Sequence, residues 1–336
     1  MKKKIIVAAV SAALVFVIVA NFIFSRTVNE VFLAMNTTVS LNIECCKPDK
    51  TAQKIKDEIT RLDVELLSRT NASSEIHAVN NGKVQVSDEL ADLLRELKQI
   101  EIDSDGAFCV GLGALSDLWG IGTDKARVPT QDEIDAAIKN AKDWSIDGNT
   151  VYLPDGVRLD MGAIGKGYAC DSTIGILYDT NRARVVAAVG GSVLAYSSKA
   201  KDKFTIGIRD PLEQTLSTCA TIETTSACVS TSGNYERFFE DENGKIYHHI
   251  FDPSTGYPAD SGLASVTVIT NSGCVSDALS TACFVLGIEK SIPLLEKYGA
   301  EAVFITNDNE IITTLSDGDS AKLTVTNNNY KLGELE

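Results

Sequence analysis

The order in which two hydrophobic periods appear along this chain restricts its fold more than any other feature. Residues 37–45 (TTVSLNIEC) alternate like a half-buried strand. Helical spacing then takes over: Ile55, Ile59, Leu62 and Leu66 share one face of 49–68. A second amphipathic helix is predicted over 87–106 with Ser87 as N-cap. A third covers 130–142, entered after Pro129 with Thr130 as cap and acids in its first turn. Strand-like segments follow at 150–153, 157–160, 185–189, 204–208 and 264–270, with GSVLAYS as a turn-flanked neighbour. Residues 276–287 read as a helix, and EAVFIT and EIITTL as a closing hairpin around NDNE. This mixture predicts an α+β fold, with layered mixed sheets and packed helices, not a regularly alternating doubly wound sheet. No repeat, low-complexity run or linker divides residues 31–336, which are expected to form one domain.

Ahead of it, residues 1–26 place three lysines before an apolar stretch, 5–24, interrupted only by Ser11 and Asn21. At about 1.5 Å per residue this spans roughly 30 Å of hydrocarbon, longer than the apolar core of a cleavable signal. The expectation is a single-pass membrane anchor with the lysines cytoplasmic and the domain extracytoplasmic, or a secreted domain if the segment is cleaved. The formal net charge of −15 leaves no basic field for a nucleic-acid partner and disfavours attachment to anionic lipid, so attachment is expected to be hydrophobic. The eight cysteines contain no C-x-x-C and sit at no zinc-like spacing from the three histidines. Most are expected to be small buried hydrophobes.

Four segments carry the chemistry. RLDMGAIGKGYACD (158–171) sets three glycines and Lys166 at the mouth of a helix. It is neither a P-loop nor a G-x-G-x-x-G fingerprint. Freed backbone amides there suit an anion, and a tight turn needing glycine only for its dihedrals suits the pattern equally. YHHIFDPSTGYPAD (247–260) is too rich in proline and turn residues for a central strand or helix, and it holds two of the three histidines, of which one is read as a neutral-pH base. CVSTSGNYERFF (228–239) reads as a polar turn running into aromatics. In SDALSTACF, Asp277 and Thr281 lie i, i+4 on one helix. Either they cap its start, or they form the carboxylate and hydroxyl pair that Mg²⁺ accepts while substrate phosphates complete its shell.

Taken in order, AMNTTVSL, LSRTNASSEIHAVN, GAFCVGLGALSDLWGIG, LDMGAIGKGYACD, VGGSV, TSGNYERFF, HIFDPSTGYP and SVTVITNSGCVSDALSTACFVLG resemble the ApbE-type FAD:protein FMN transferases, from about residue 31 to 315. The resemblance implies an ApbE-like flavin transferase fold. It also implies transfer of FMN from FAD to a threonine or serine of a membrane-attached or extracytoplasmic redox protein. By the same resemblance Met35, Ala107, Phe108, Cys109, Asp160, Lys166 and Ile250 contact FAD. Mg²⁺ falls to the Ala163 carbonyl, the Asp277 carboxylate and the Thr281 hydroxyl, and His249 activates the acceptor. The sequence departs from the family at Cys109, where an aspartate is expected, and at Thr70, where an aromatic is frequent. Hydrolysis of FAD to FMN and AMP, and non-catalytic flavin binding, are the rival readings.

Overall fold

The computed structural model describes residues 26–180, 182–213, 217–316 and 321–335. The apolar 5–24 stretch lies outside the described residues, among which no helix is long and apolar enough to cross a membrane. A nine-stranded sheet forms the centre, in the order β1 (Thr27–Ala34), β2 (Thr37–Glu44), β5 (Arg184–Val189), β6 (Ser192–Ser197), β9 (Ala227–Gly233), β12 (Leu263–Thr270), β13 (Glu301–Thr306), β14 (Glu310–Thr313) and β16 (Lys331–Leu332). Neighbouring strands run antiparallel except β14 and β16.

Both faces of this sheet are covered, as every residue of β12 is buried. One face packs on α1 (Pro48–Arg61, continued as a π turn over Leu62–Leu67), α6 (Gly165–Tyr178), α7 (Gly273–Leu286) and α8 (Ile288–Tyr298), with α3 (Asp88–Asp103) packed in turn against α7. The other face packs on a three-stranded sheet in the order β15 (Ala321–Val325), β8 (Thr218–Thr224) and β7 (Phe204–Arg209), through Phe204, Ile206, Ile222 and Ile305. A satellite core gathers α4 (Gly113–Trp119), α5 (Gln131–Ile138) and the hairpin of β10 (Phe238–Glu240) with β11 (Ile246–His248) around the fully buried Trp119. Strands β3 (Ser145–Asp147) and β4 (Thr150–Tyr152) make a small separate hairpin, and α2 (Glu75–Asn80) follows the π turn. The α+β layering read from the sequence is therefore present.

The structure corrects four local readings. Residues 157–160 are not a strand; Arg158 makes one isolated parallel bridge to Leu112. CVSTSG is not a polar turn but most of β9, a central strand. Its Ser230 and Ser232 hydroxyls meet Ser276 and Ser280 of α7 at 2.8 and 2.7 Å, so a polar face is buried by pairing with a polar helix face. The helix read as 276–287 begins three residues earlier, where Ser272 Oγ accepts from the Val275 amide. Asp277 and Thr281 therefore do not cap it. The 27–34 strand, not anticipated, is a sheet edge and alternates between exposed and half-buried positions up to the buried Ala34.

Six of the eight cysteines are buried, in keeping with their reading as small hydrophobes.

Candidate active site

The N-termini of α6 and α7 cross at two glycines. A Cβ on Gly167 would stand 2.0 Å from the Gly273 carbonyl oxygen, and one on Gly273 would stand 2.1 Å from that of Gly167. Only hydrogen fits at such an approach. Gly165 has no such constraint, its nearest atom in that direction being Leu67 at 3.7 Å. So the glycine-rich segment serves, at Gly167, a helix–helix contact.

That contact brings Asp277, one turn into α7 and 2% exposed, against the start of α6. Its Oδ2 accepts from the Gly167 amide at 2.9 Å, and its Oδ1 lies 3.5 Å from Lys166 Nζ. Gly167 stands in the first turn of α6, where backbone amides have no carbonyl partner within the helix. Asp277 satisfies one of these amides, as an anion at a helix N-terminus does. Thr281 lies a turn further along α7, its hydroxyl 3.2 Å from Ser232 Oγ and 3.4 Å from the Asp277 carbonyl. Among the described residues no three His, Cys, Asp or Glu side chains converge. A set made of one carboxylate, one hydroxyl and one carbonyl is a different kind of site, built from the hard oxygens that suit Mg²⁺.

A cleft of about 750 Å³ opens beside this crossing, within the range of cofactor pockets. Met35, Ala163, Lys166 and Thr281 line it on the helix side. Met35 is held in a left-handed turn (φ 52°) between β1 and β2, its amide donating to Asp63 at 2.7 Å. Ala107, Phe108 and Cys109 line it from the loop before α4, and Asp160, His249 and Ile250 complete the wall. All the sequence-designated positions except Asp277, buried just behind, thus border one cavity.

Sequence reasoning did not find Arg69, also on the wall, whose Nε lies 3.1 Å from Asp160 Oδ2. Arg69 also pairs with Asp117, which Arg158 holds from the other side at 3.2 Å. Its only sequence signal is a charge next to Thr70 in a polar stretch. Cys109 supplies no charge in place of a carboxylate: burial, with Glu101 nearby, pushes its thiol well above the ordinary range.

The adjacent histidines diverge. His248 is buried, its Nε2 3.0 Å from the Ala259 carbonyl and its ring edge-on to Phe284. His249 is half-buried on the cleft wall, with Nδ1 3.2 Å from the Arg237 carbonyl. A carbonyl only accepts, so Nδ1 carries the proton and Nε2 the lone pair. Desolvation, then Arg237 and Lys166, pushes this imidazole down to about 3. It is neutral across the physiological range.

A nine-stranded sheet whose covering helices cross over a nucleotide-sized cleft, with a buried carboxylate at the crossing, defines an α+β protein with a composite site. The profile of the ApbE family matches residues 35–304, and the chain belongs to that family. It is 34% identical over 270 residues to the FAD:protein FMN transferase of Treponema pallidum, covering 73% of this chain and 74% of that one. With the Klebsiella pneumoniae (strain 342) protein of the same name it shares 33% over 258 residues, covering 74% and 80%. The crystal structure of the ApbE protein from Thermotoga maritima superposes with a TM-score of 0.79 at 32% identity, over 85% of this chain and 96% of that one. The apo Pseudomonas stutzeri flavinyl transferase ApbE gives 0.70 at 27%, over 89% and 94%.

Proposed function

We propose that the protein is a Mg²⁺-dependent FAD:protein FMN transferase, acting on a serine or threonine of an extracytoplasmic, membrane-attached redox protein. The observation that carries this reading is the Asp277 geometry. A buried carboxylate binds Lys166 and the Gly167 amide and stands one turn from the Thr281 hydroxyl at the edge of the cleft, which Ala163 also lines. Ala163, Asp277 and Thr281 would hold the metal, which when bound neutralises negative charge on a diphosphate. Lys166 contributes a further fixed cation at the same place. His249, neutral with Nε2 unprotonated, takes the proton of the acceptor hydroxyl, and binding of an anionic dinucleotide offsets Lys166 and Arg237 and strengthens it as a base. The hydroxyl oxygen bonds to the FMN phosphorus, the bond from that phosphorus to the bridging oxygen breaks, and AMP leaves. Met35, Asp160 and Ile250, with 107–109, bind and orient FAD.

The test measures AMP release from FAD with and without an acceptor domain, together with the acceptor's mass. AMP that appears only with acceptor, matched by an FMN adduct on a serine or threonine, supports transfer. AMP released equally without acceptor makes the protein a hydrolase, and no AMP makes it a flavin-binding protein.

A further inference from the structure

Strand β5 runs from the cleft to a second concavity at the opposite end of the sheet. Gly190, just past its end, lines the cleft; Arg184, at its start, lines a pocket of about 460 Å³ with Glu44, Arg182, Ser198, Lys199 and Lys203. Residues 182–203 hold five cations against one acid, Asp202, in a chain of net charge −15. Arg182, Lys199, Lys201 and Lys203 are exposed. The Arg184 guanidinium is braced, 4.3 Å over the Phe204 ring and donating to the Lys203 carbonyl at 3.0 Å. The nearby acids are partly engaged: Asp202 accepts from Ser197 Oγ at 2.7 Å, and Glu223 pairs with Lys203 at 2.6 Å.

The sheet register places this pocket beside the point where the chain enters the domain. Thr27 pairs with Glu44, Glu44 with Arg184, and Arg184 with Ser197, so one row joins the start of β1 to the cations. Arg26 adds its charge there, paired with Asp49 at 3.0 Å, and Lys47 and Lys50 sit at the start of α1. Tyr178, the last residue of α6, is 78% exposed with its ring edge-on to Tyr196. Met35, just past β1, Gly165 and Gly190 mark the other end of the same elements, at the cleft.

We propose that this end of the sheet docks on an anionic lipid bilayer, the pocket receiving a headgroup phosphate, with the catalytic cleft turned away from the membrane. The proposal rests on the reading that residues 5–24 bring the chain to a membrane. Two residues, Ser25 and Arg26, separate that stretch from β1, so the surface it enters lies within reach of the cationic row. The overall negative charge does not oppose the contact, because acids on distant faces lie beyond a screening length of about 10 Å at 0.1 M salt. Clustered Lys and Arg beside a membrane segment attract anionic headgroups, and an exposed tyrosine suits the interfacial zone.

The test places the full chain in lipid nanodiscs of phosphatidylcholine alone or mixed with phosphatidylglycerol. An amine-acylating reagent then labels Lys199, Lys201 and Lys203, with Lys245 as reference. Labelling several-fold slower in the anionic discs, restored by high salt and with Lys245 unchanged, supports the proposal. Equal labelling in both discs overturns it, as does equal protection by inorganic phosphate without lipid, which marks a free-anion site. If the chain is isolated without residues 5–24, flotation with phosphatidylglycerol vesicles but not phosphatidylcholine vesicles supports the docking face, and no flotation overturns it. AMP release measured on the same preparations keeps failure of the transferase reading separate from failure of this one.

Discussion

Asp277 makes two contacts at once: it accepts from the Gly167 amide and pairs with Lys166. Asp277→Asn keeps an oxygen for the amide and nearly the same volume but removes the charge. Transfer should fall at least about 100-fold, the order expected when one charged ligand of a catalytic metal is lost, while the melting temperature stays near wild type. Activity kept in Asp277→Asn, measured as AMP release in Mg²⁺, would remove Asp277 from the metal site. The histidine pair gives a second contrast. His249→Ala should lower the transfer rate about 10²–10⁴-fold with FAD affinity nearly unchanged, because a general base acts on the acceptor. His248→Ala should chiefly destabilise, because it removes a buried side chain from the Ala259 carbonyl and Phe284. Equal mild effects on rate from both would end the histidine-base mechanism. The folded state holds His249 depressed to about 3, whereas the unfolded chain titrates near 6.5. The unfolded state therefore binds more protons between those values, and stability falls as pH drops from about 6.5 toward 3. His249→Ala should flatten that slope in denaturant titrations across the window, and an unchanged slope would contradict the depressed, neutral imidazole. Sequence made these residues legible because i, i+4 spacing and a scarcity of histidine are local signals. Arg69 escaped because its meaning depends on Asp160 and Asp117, 91 and 48 positions away.

At the scale of elements, the site depends on how closely α6 and α7 approach. Gly167→Ala would drive a methyl to 2.0 Å from the Gly273 carbonyl and 2.7 Å from Asp277 Cβ, neither of which is a flexible side-chain end. The helices must part, at about 1–3 kcal/mol as in other overpacked contacts, and Asp277 moves off the start of α6. Urea denaturation should show that loss, with transfer reduced beyond what the unfolded fraction accounts for. Gly165→Ala, with Leu67 at an ordinary 3.7 Å, should be close to neutral in both. Helices were readable because Ile55, Ile59, Leu62 and Leu66 leave a one-sided stripe; the capping box of α5, from Thr130 and Glu133, marked its start equally well. Strand β9 was not, because its buried face uses serines satisfied by serines of α7, and hydropathy does not register polar groups that satisfy one another. The same reason hid the first turn of α7, where Gly273 is present for contact with α6 and not for its own helix. Residues 157–160 misled in the opposite direction: their alternation buries Val157 and Leu159 in a loop.

At the scale of the whole molecule, cleft and cationic row stand at opposite ends of β5, whose six residues rise by about 3.3 Å each, so the proposed docking would hold the cleft roughly 20 Å above the membrane surface. If residues 5–24 span that bilayer, the two residues between them and β1 leave the domain little freedom to tilt the cleft downward. An acceptor domain anchored in the same bilayer, with its target hydroxyl at its membrane-proximal end, must be lifted by its own linker. A flexible linker spans about 5–6 Å times the square root of its length, so roughly a dozen residues reach 20 Å. In anionic nanodiscs containing both proteins, a linker of about 15 residues should support rapid FMN transfer and one of about 4 should support little. In detergent, where neither protein is held at a common surface, the two acceptors should react alike, which isolates geometry from any effect of linker on binding. High salt, by loosening the cationic face, should narrow the difference in the discs. Equal transfer to both acceptors in anionic discs at low salt would mean that the cleft opens toward the membrane, or that the domain tumbles freely on its two-residue tether.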